Sequence, residues 1–266
     1  MRSLRLFLRV VKLAILQQTT YRTALIAGLA TNVVWGVLRA SVVVALYAGH
    51  PIVNGLTLQA SLTYVAVGQA MIAFLFLFGS YDLMATVYSG SIAADLVRPV
   101  GLFSYWLGRD IGRSLVNLLF RGLILILVFM LFYTIAFPLN PLDWLWTALS
   151  LCLAWLTSFA WRFLINIASF WTPDARGLGR AAFTASEMLS GFLIPLRLYP
   201  DWFANICRLT PFPTMFNTSL EIYLGLVKGP DLWLALLVQA AWALVLSGLC
   251  FLALRAGLRR LVIQGG

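Results

Sequence analysis

The residue types that carry enzymatic chemistry are few in this 266-residue chain, and their spacing matches no catalytic signature. His50 is the only histidine, and Cys152, Cys207 and Cys250 stand far apart, without a CxxC pair or a Cys/His cluster. Neither a metal site nor a disulfide framework is therefore expected. Motifs such as HExxH and GxSxG and paired intramembrane carboxylates are also missing from the sequence. Protease or transferase chemistry is not expected, and no cofactor is predicted.

The lysines exclude nucleotide hydrolysis by this chain. A Walker A loop ends in Gly-Lys-Ser or Gly-Lys-Thr, and its backbone amides and lysine cradle the phosphates. The chain has only Lys12 and Lys228, and a valine precedes each of them. Any ATPase that acts with this chain must be a separate polypeptide, which would bind the ATP.

Composition indicates that lipid is the solvent of the fold. Hydrophobic residues make up 62% of the chain and charged residues 11%, and the mean hydropathy is +0.92. A soluble domain is about half apolar and about a quarter charged, so we expect an all-α integral membrane protein. The net charge of +10 comes mainly from basic residues at the ends of apolar runs. This pattern is typical of topology signals and contact with membrane lipids, and nucleic acid is not an expected partner.

Six apolar runs are close to the length of about 20 residues that a membrane-spanning helix needs. The runs are Ala24–Tyr47, Leu58–Phe78, Leu115–Phe137, Trp144–Phe170, Ala181–Leu198 and Leu232–Leu254. Residues 1–266 are interpreted as one domain with six transmembrane helices.

The fifth run is the least regular, because Pro195, Pro200, Pro211 and Pro213 follow one another closely. Prolines at this density exclude one straight helix. We therefore predict a short re-entrant or interfacial segment after the fifth helix, covered by protein or water. A seventh short segment between Arg197 and Lys228 is the alternative.

Residues 1–22 are predicted to form an amphipathic helix at the membrane interface. At 100° per residue, its basic side chains share one stripe and its apolar side chains occupy the opposite side. The stripe contains Arg2, Arg5, Arg9 and Lys12, and the apolar side contains Leu4, Phe7, Leu8, Val11 and Ile15. The alternative is an N-terminal extension of the first span.

Basic residues alternate between the connecting segments. The segments before the first run, between the second and third, between the fourth and fifth, and after the sixth are basic. Residues 49–57 and 138–143 contain no Lys or Arg. The positive-inside rule then predicts six spans in the plasma or inner membrane with both termini in the cytoplasm.

Charged residues inside the spans are costly, so they tend to face protein or a water-filled path and to find partners. Arg121, Arg162 and Glu187 lie at a similar depth, counted from the cytoplasmic ends of their spans. We hypothesise that Glu187 pairs with Arg121 or Arg162. The alternative is that the arginines extend separately to the interface.

Arg39 lies about two-thirds of the way along the first span. It is a candidate to line a translocation path and attract an anionic headgroup or sugar phosphate. The alternative is a bond to backbone carbonyls of the irregular segment after the fifth span. Small residues on the same span, Gly28, Ala30 and Gly36, would allow close helix approach.

Two segments carry a resemblance to a known family. The first, SGSIAADLVRPVGLFSYWLGRDIG, lies in the cytoplasmic stretch 81–113, which is otherwise interpreted as a connecting loop with a short helix ending at Arg98-Pro99. The second is SEMLSGFLIPLRLYPDWFANICRLTPFPTMFNTSLEIYLG. Together they resemble the membrane subunits of ABC-2 type exporters, in the branch of stand-alone permeases of about 260 residues, and the resemblance covers nearly the whole chain.

The resemblance implies a specific function and set of partners. It implies six spans, an interface helix at the N-terminus, and a coupling helix between spans two and three that docks onto a separate ATPase. It also implies two ATPase copies and a second permease chain, identical or homologous. The docking residues would be Ser89, Gly90, Asp95, Arg98 and Pro99, although Asp95 and Arg98 could instead cap a helix.

The expected function is thus the transmembrane permease subunit of an ATP-driven exporter. A membrane assembly or anchoring protein without transport activity is the alternative. A secondary transporter ranks third, because the sequence suggests no inverted repeats.

Overall fold

The computed structural model describes residues 2–172 and 174–260. Apart from a two-stranded hairpin, β1 (Ile52–Val53) and β2 (Leu56–Thr57), its regular structure is helical. Seven helices in this part of the chain have 14 residues or more: α1 (Arg2–Thr20), α2 (Arg22–Leu46), α3 (Leu58–Leu75), α6 (Leu102–Asn117), α8 (Pro141–Ile167), α9 (Arg176–Leu189) and α13 (Pro230–Leu258). The shorter helices are α4 (Asp82–Tyr88), α5 (Ile92–Leu96), α7 (Ile124–Met130), α10 (Asp201–Arg208), α11 (Phe212–Met215) and α12 (Asn217–Tyr223).

Five helical stretches among the described residues are long and apolar enough to cross a membrane. They are Arg22–Leu46, Leu58–Leu75, Leu102–Met130, Pro141–Phe170 and Pro230–Leu258. Four of them lie close to the predicted first, second, fourth and sixth spans.

The third stretch begins 13 residues earlier than the predicted run from Leu115, because α6 already starts at Leu102. A π-helical turn, Leu118–Leu123, joins α6 to α7 without a break. Residues 102–113 therefore belong to a long helix, and the predicted connecting stretch 81–113 is shorter than expected. Polar side chains in the first turns of α6 gave this part of the helix the appearance of a loop.

The predicted fifth span, Ala181–Leu198, is not one straight helix. Its helix, α9, has 14 residues and is about 21 Å long, which is shorter than a bilayer core. After α9 the chain turns at Gly191, whose φ of +81° is the left-handed conformation that glycine adopts without strain. Short helical pieces then follow as far as Tyr223.

Helix α1 packs along α6, and two glycines allow the contact. A Cβ built on Gly112 would lie 2.6 Å from the Val11 carbonyl oxygen, and one on Gly108 would lie 3.2 Å from the Phe7 ring. The backbones can therefore approach closely, as small residues four apart allow. The side chains of Arg5, Arg9 and Lys12 on α1 are exposed.

The helices run between two ends of the bundle, which we call the upper and lower faces. The upper face contains the β-hairpin and the segments 131–140 and 224–229, joined by bonds such as Tyr223 Oη to the Ala136 carbonyl oxygen at 3.1 Å. The lower face contains α1, α4, α5 and the segment after α8. On the inner side of the lower face, a cluster of buried residues around Phe103, Phe163 and Phe170 forms the largest part of the hydrophobic core.

Candidate functional site

The lower face contains an elbow, which is formed by α4, α5 and the residues up to Pro99. The two helices are separated by a turn in which Gly90 has a φ of +73°. The hydroxyls of Ser89 and Ser91 are 2.8 Å apart across this turn. Tyr88 is 57% exposed and Val97 is 84% exposed, so the elbow presents apolar groups to the outside.

The five residues that were predicted to dock the ATPase lie in this elbow, and some of them are exposed whereas others are not. Ser89, Arg98 and Pro99 are exposed, and Gly90 forms the turn. Asp95 is buried, and its carboxylate accepts a bond from Arg98 Nε at 3.0 Å. The Arg98 guanidinium also lies 4.6 Å from the centre of the Tyr105 ring. Asp95 and Arg98 therefore bond to each other within the elbow, and neither side chain caps α5.

Asn166 on α8 fixes the elbow to the bundle. Its side-chain oxygen accepts the Met84 amide of α4 at 3.1 Å. Its amide nitrogen donates to the Ser80 carbonyl at 2.6 Å and to the Arg162 carbonyl at 2.8 Å. Helix α4 is therefore anchored to α8 through this side chain.

A buried ion-pair network lies immediately behind the elbow; we call it the Asp110 network. The Asp110 carboxylate accepts two bonds from Arg162, at 2.7 and 2.9 Å, and one from Trp155 Nε1 at 3.0 Å. Arg113 bridges Asp110, at 3.3 Å, to Asp82 of α4, at 2.5 Å. The Asp110 and Arg162 side chains are only 4% and 5% exposed. Bidentate arginine–carboxylate pairing of this kind is both strong and directional, so α4, α6 and α8 are tied together.

Arg121 has partners of its own, on α2 and at the end of α6. It lies in the π-helical turn and donates to the Gly28 carbonyl at 3.1 Å, to Asn32 Oδ1 at 3.3 Å and to Asn117 Oδ1 at 3.3 Å. A Cβ on Gly28 would come within 2.6 Å of the guanidinium carbon. Gly28 thus makes room for an arginine, and the widened turn helps to bring that arginine to α2.

The predicted pairing of Glu187 with Arg121 or Arg162 is not formed. Glu187 has no ion pair within 4.0 Å among the described residues, and both arginines bond elsewhere. The reason is the early start of α6, which places Asp110 inside the bundle beside Arg162. The structure does not join the three residues into one polar cluster.

Arg39 bonds to the irregular segment after α9. Its Nη2 donates to the carbonyls of Phe192 and of Leu193, the latter at 3.0 Å, and its guanidinium lies 4.4 Å from the centre of the Phe192 ring. This is the alternative that the sequence left open. Arg39 also lines a largely apolar cavity of about 640 Å³ between α2, α3 and residues 192–198. The other lining residues include Trp35, Val42, Val65, Phe78 and Leu198.

Asn217 holds the irregular backbone that Arg39 contacts. Its side-chain oxygen accepts bonds from the Leu196 backbone N–H at 3.2 Å and from the Tyr64 hydroxyl at 2.9 Å, and its backbone N–H donates to the Ser190 carbonyl at 3.2 Å. Tyr64 also lies 2.8 Å from the Gly191 carbonyl oxygen. Non-helical backbone inside a membrane protein needs such partners.

Sequence reasoning missed Asp110, Trp155 and Asn166. The available signal was the spacing of Asp110 and Arg113, three residues apart, which places both on one side of a helix. That signal was hidden because the segment was taken as a loop.

No curated protein and no solved structure matches this chain. The family model described as ABC-2 family transporter protein matches residues 33–265. These residues include four of the five long apolar helices entirely and most of the first. The chain therefore belongs to the ABC-2 family, whose members are multi-pass transmembrane permease components of ABC transporters and are not themselves catalytic.

Proposed function

We propose that this chain is the permease subunit of an ATP-driven exporter, coupled through its elbow to a separate ATP-binding subunit. The observation that carries the proposal is the buried Asp110 network, which connects an exposed elbow to the long helical stretches Leu102–Met130 and Pro141–Phe170. Permeases of this family typically work with ATP-binding subunits.

In the proposed arrangement, the chain crosses the plasma or inner membrane six times with both termini in the cytoplasm. The fifth crossing is α9 together with residues 190–198, and α10 to α12 form the re-entrant segment that follows. Two contacts, one at the upper face and one lower in the bundle, support this arrangement. Asn54 of the upper hairpin donates to the Arg197 carbonyl at 3.0 Å, whereas Phe212 packs against Trp161 of α8, with ring centres 5.1 Å apart.

The lower face is then cytoplasmic, and α1 lies along the membrane interface with its basic side chains toward lipid headgroups. Its exposed leucines support this position, since Leu4, Leu8 and Leu16 are each more than half exposed. The opposite side of α1 remains packed on α6.

The elbow is the proposed docking element. Closure of two ATP-binding subunits would push on its exposed apolar surface, and Asp82 and Asn166 would pass the displacement to α6 and α8. The energy available for the change is the difference in ATP-subunit affinity between the two states of the permease.

The proposed translocation path includes the cavity beside Arg39. Its walls are largely apolar, and one cationic group projects from α2, so an amphipathic or lipid-linked cargo with an anionic group suits it better than a small ion. Two permease chains, identical or homologous, would complete the path.

A pair of exposed apolar residues tests the docking proposal. Val97 of the elbow is 84% exposed, and Leu139 of the upper face is 96% exposed, so an aspartate at either position disturbs little packing. The tagged chain is co-expressed with its ATP-binding subunit, purified, and assayed for retained subunit and for ATPase activity. We expect Val97→Asp to release the subunit and Leu139→Asp to retain it. Equal retention in both variants would contradict docking at the elbow.

The alternative function, a membrane anchor without transport, predicts a different result. An anchor could retain the ATP-binding subunit. Vesicles that contain it would show no ATP-driven transport, with or without substitutions in the Asp110 network. Vesicles that accumulate a fluorescent amphipathic anion with ATP, and lose this activity with Arg39→Leu, would favour the exporter.

A further inference from the structure

A second cavity, of about 230 Å³, lies at the lower face between α1, α4, α6 and α8. Gln17 and Gln18 of α1, Ser80, and Trp106 and Arg109 of α6 are among the residues that line it. Its wall includes the Asp110 network apart from Trp155. The volume is several times what one water molecule needs, and the lining is polar enough to hold a charged group.

Two buried donors in this wall have no acceptor. Trp106 is 8% exposed and Arg162 is 4% exposed, and neither the Trp106 Nε1 nor the Arg162 Nε has a hydrogen-bond partner among the described residues. A buried polar group left without a partner is costly, and most such groups in folded proteins are satisfied. Both unpaired donors would be satisfied by an acceptor inside the cavity.

Arg109 adds a positive charge at the same place. Among residues 2–172 and 174–260 it has no ion pair within 4.0 Å. Its guanidinium lies 4.7 Å from the centre of the Trp106 ring, and such stacking leaves the N–H edge of the guanidinium available.

The charge balance of the lining favours an anion. Three arginines, Arg109, Arg113 and Arg162, face two carboxylates, Asp82 and Asp110. Arg113 and Arg162 already engage both carboxylates. The positive charge of Arg109 and two unpaired N–H groups are left over. Both carboxylates are already neutralised by their ion pairs, so no negative charge of the lining is left to bind a cation.

We propose that this cavity binds a phosphate group, which Arg109, Trp106 Nε1 and Arg162 Nε contact as donors. A phosphate offers several acceptor oxygens to converging donors, and arginine suits it in particular. The cavity opens beside α1, which bears exposed Arg5, Arg9 and Lys12. Phospholipid headgroups and free phosphate both supply this chemistry, and the site does not depend on whether the chain transports a substrate.

The test uses the purified full chain in nanodiscs or mild detergent. Native mass spectrometry measures binding of dioctanoyl phosphatidic acid against dioctanoylglycerol, which has the same acyl chains but lacks the phosphate, with and without inorganic phosphate as competitor. The substitutions are Arg109→Gln, which removes the unpaired charge, and Trp106→Phe, which removes only the indole N–H. Matched controls are Arg180→Gln, at an exposed arginine outside the cavity, and Trp161→Phe, whose Nε1 is also buried and unpaired but does not line the cavity.

We expect the wild-type chain to prefer phosphatidic acid, and Arg109→Gln to weaken its binding about tenfold or more, as loss of a charged hydrogen-bond partner does. Trp106→Phe should weaken binding roughly two- to tenfold. Both controls should stay within about twofold of wild type, since they leave every donor of the cavity in place. Competition by inorganic phosphate would identify a site for free phosphate as well, and its absence would identify a headgroup site.

Equal binding of the two lipids by the wild-type chain would overturn the proposal. An effect of Arg180→Gln as large as that of Arg109→Gln would also overturn it, since binding would then reflect general surface charge. Should Arg109→Gln fail to fold, the comparison of Trp106→Phe with Trp161→Phe decides alone.

Discussion

Replacing Asp110 with asparagine removes the charge at the centre of the buried network while keeping the shape of the side chain. Arg162 is then left 5% exposed with no carboxylate, because Asp110 is its only ion-pair partner in the described part of the chain. Arg113 keeps its bond to Asp82 at 2.5 Å. The substitution therefore strands one buried guanidinium.

The magnitude follows from this burial. Breaking a buried ion pair by removing one partner costs about 3 to 5 kcal/mol. Asp82→Asn is the matched control, because the Asp82 side chain is 50% exposed and its one ion pair among the described residues is with Arg113. An exposed pair of this kind is worth about 0.2 to 1 kcal/mol. Arg162→Gln should cost less than Asp110→Asn, since Asp110 would keep its bonds to Arg113 and Trp155.

The cysteines provide the assay. Cys207 and Cys250 are fully buried, whereas Cys152 is exposed. In a Cys152→Ser background, a thiol-reactive dye reports unfolding of the detergent-solubilised chain as temperature rises. The melting temperature should fall far more for Asp110→Asn than for Asp82→Asn.

A double-mutant cycle separates the pair from its surroundings. The double variant Asp110→Asn with Arg162→Gln should be more stable than the sum of the single losses by about 0.5 to 3 kcal/mol, because no buried charge is stranded. Strictly additive losses, or equal melting temperatures for Asp110→Asn and Asp82→Asn, would refute the reasoning.

Two further perturbations are predicted from close contacts. Gly112→Ala should destabilise the chain by about 1 to 3 kcal/mol and expose α1 to protease, because the new Cβ lies 2.6 Å from the Val11 carbonyl oxygen. The control Gly248→Ala, where nothing lies within 4 Å, should stabilise α13 by about 0.5 to 1 kcal/mol, and an equal loss at both glycines would contradict the close packing. Arg39→Leu should cost about 1.5 to 3 kcal/mol and speed hydrogen exchange in residues 190–198, since the carbonyls of Phe192 and Leu193 lose their donor. Unchanged exchange there would show that this segment does not depend on Arg39.

The positions of most membrane-spanning helices could be predicted from the sequence. Four of the six predicted runs coincide closely with long apolar helices, because each needs about 20 apolar residues whatever its neighbours are. The run around Ala181 does not form one apolar helix of that length, for a tertiary reason. The break at Gly191 is held by Tyr64 and Asn217, which are distant in sequence.

The elbow was predicted in position but not in its internal contacts. The Gly90 turn and Arg98-Pro99 are local signals, since backbone conformation there depends on the residues themselves. Which side chains face outward was decided by packing on α6 and α8. Asp95 faces inward for that reason, and Val97 is the most exposed large hydrophobic residue of the elbow.

The sequence by itself determined that the chain belongs in a membrane, that it cannot hold a Walker A loop, and where most of its helices run. These properties follow from composition and local pattern, because lipid imposes the same demand on every span. Only the tertiary structure decided the partners of the buried charges. Arg162 pairs with Asp110 and not with Glu187, because a charge in a low-dielectric bundle pairs with the carboxylate that packing brings within bonding distance. The depth of a residue along its span does not specify that distance.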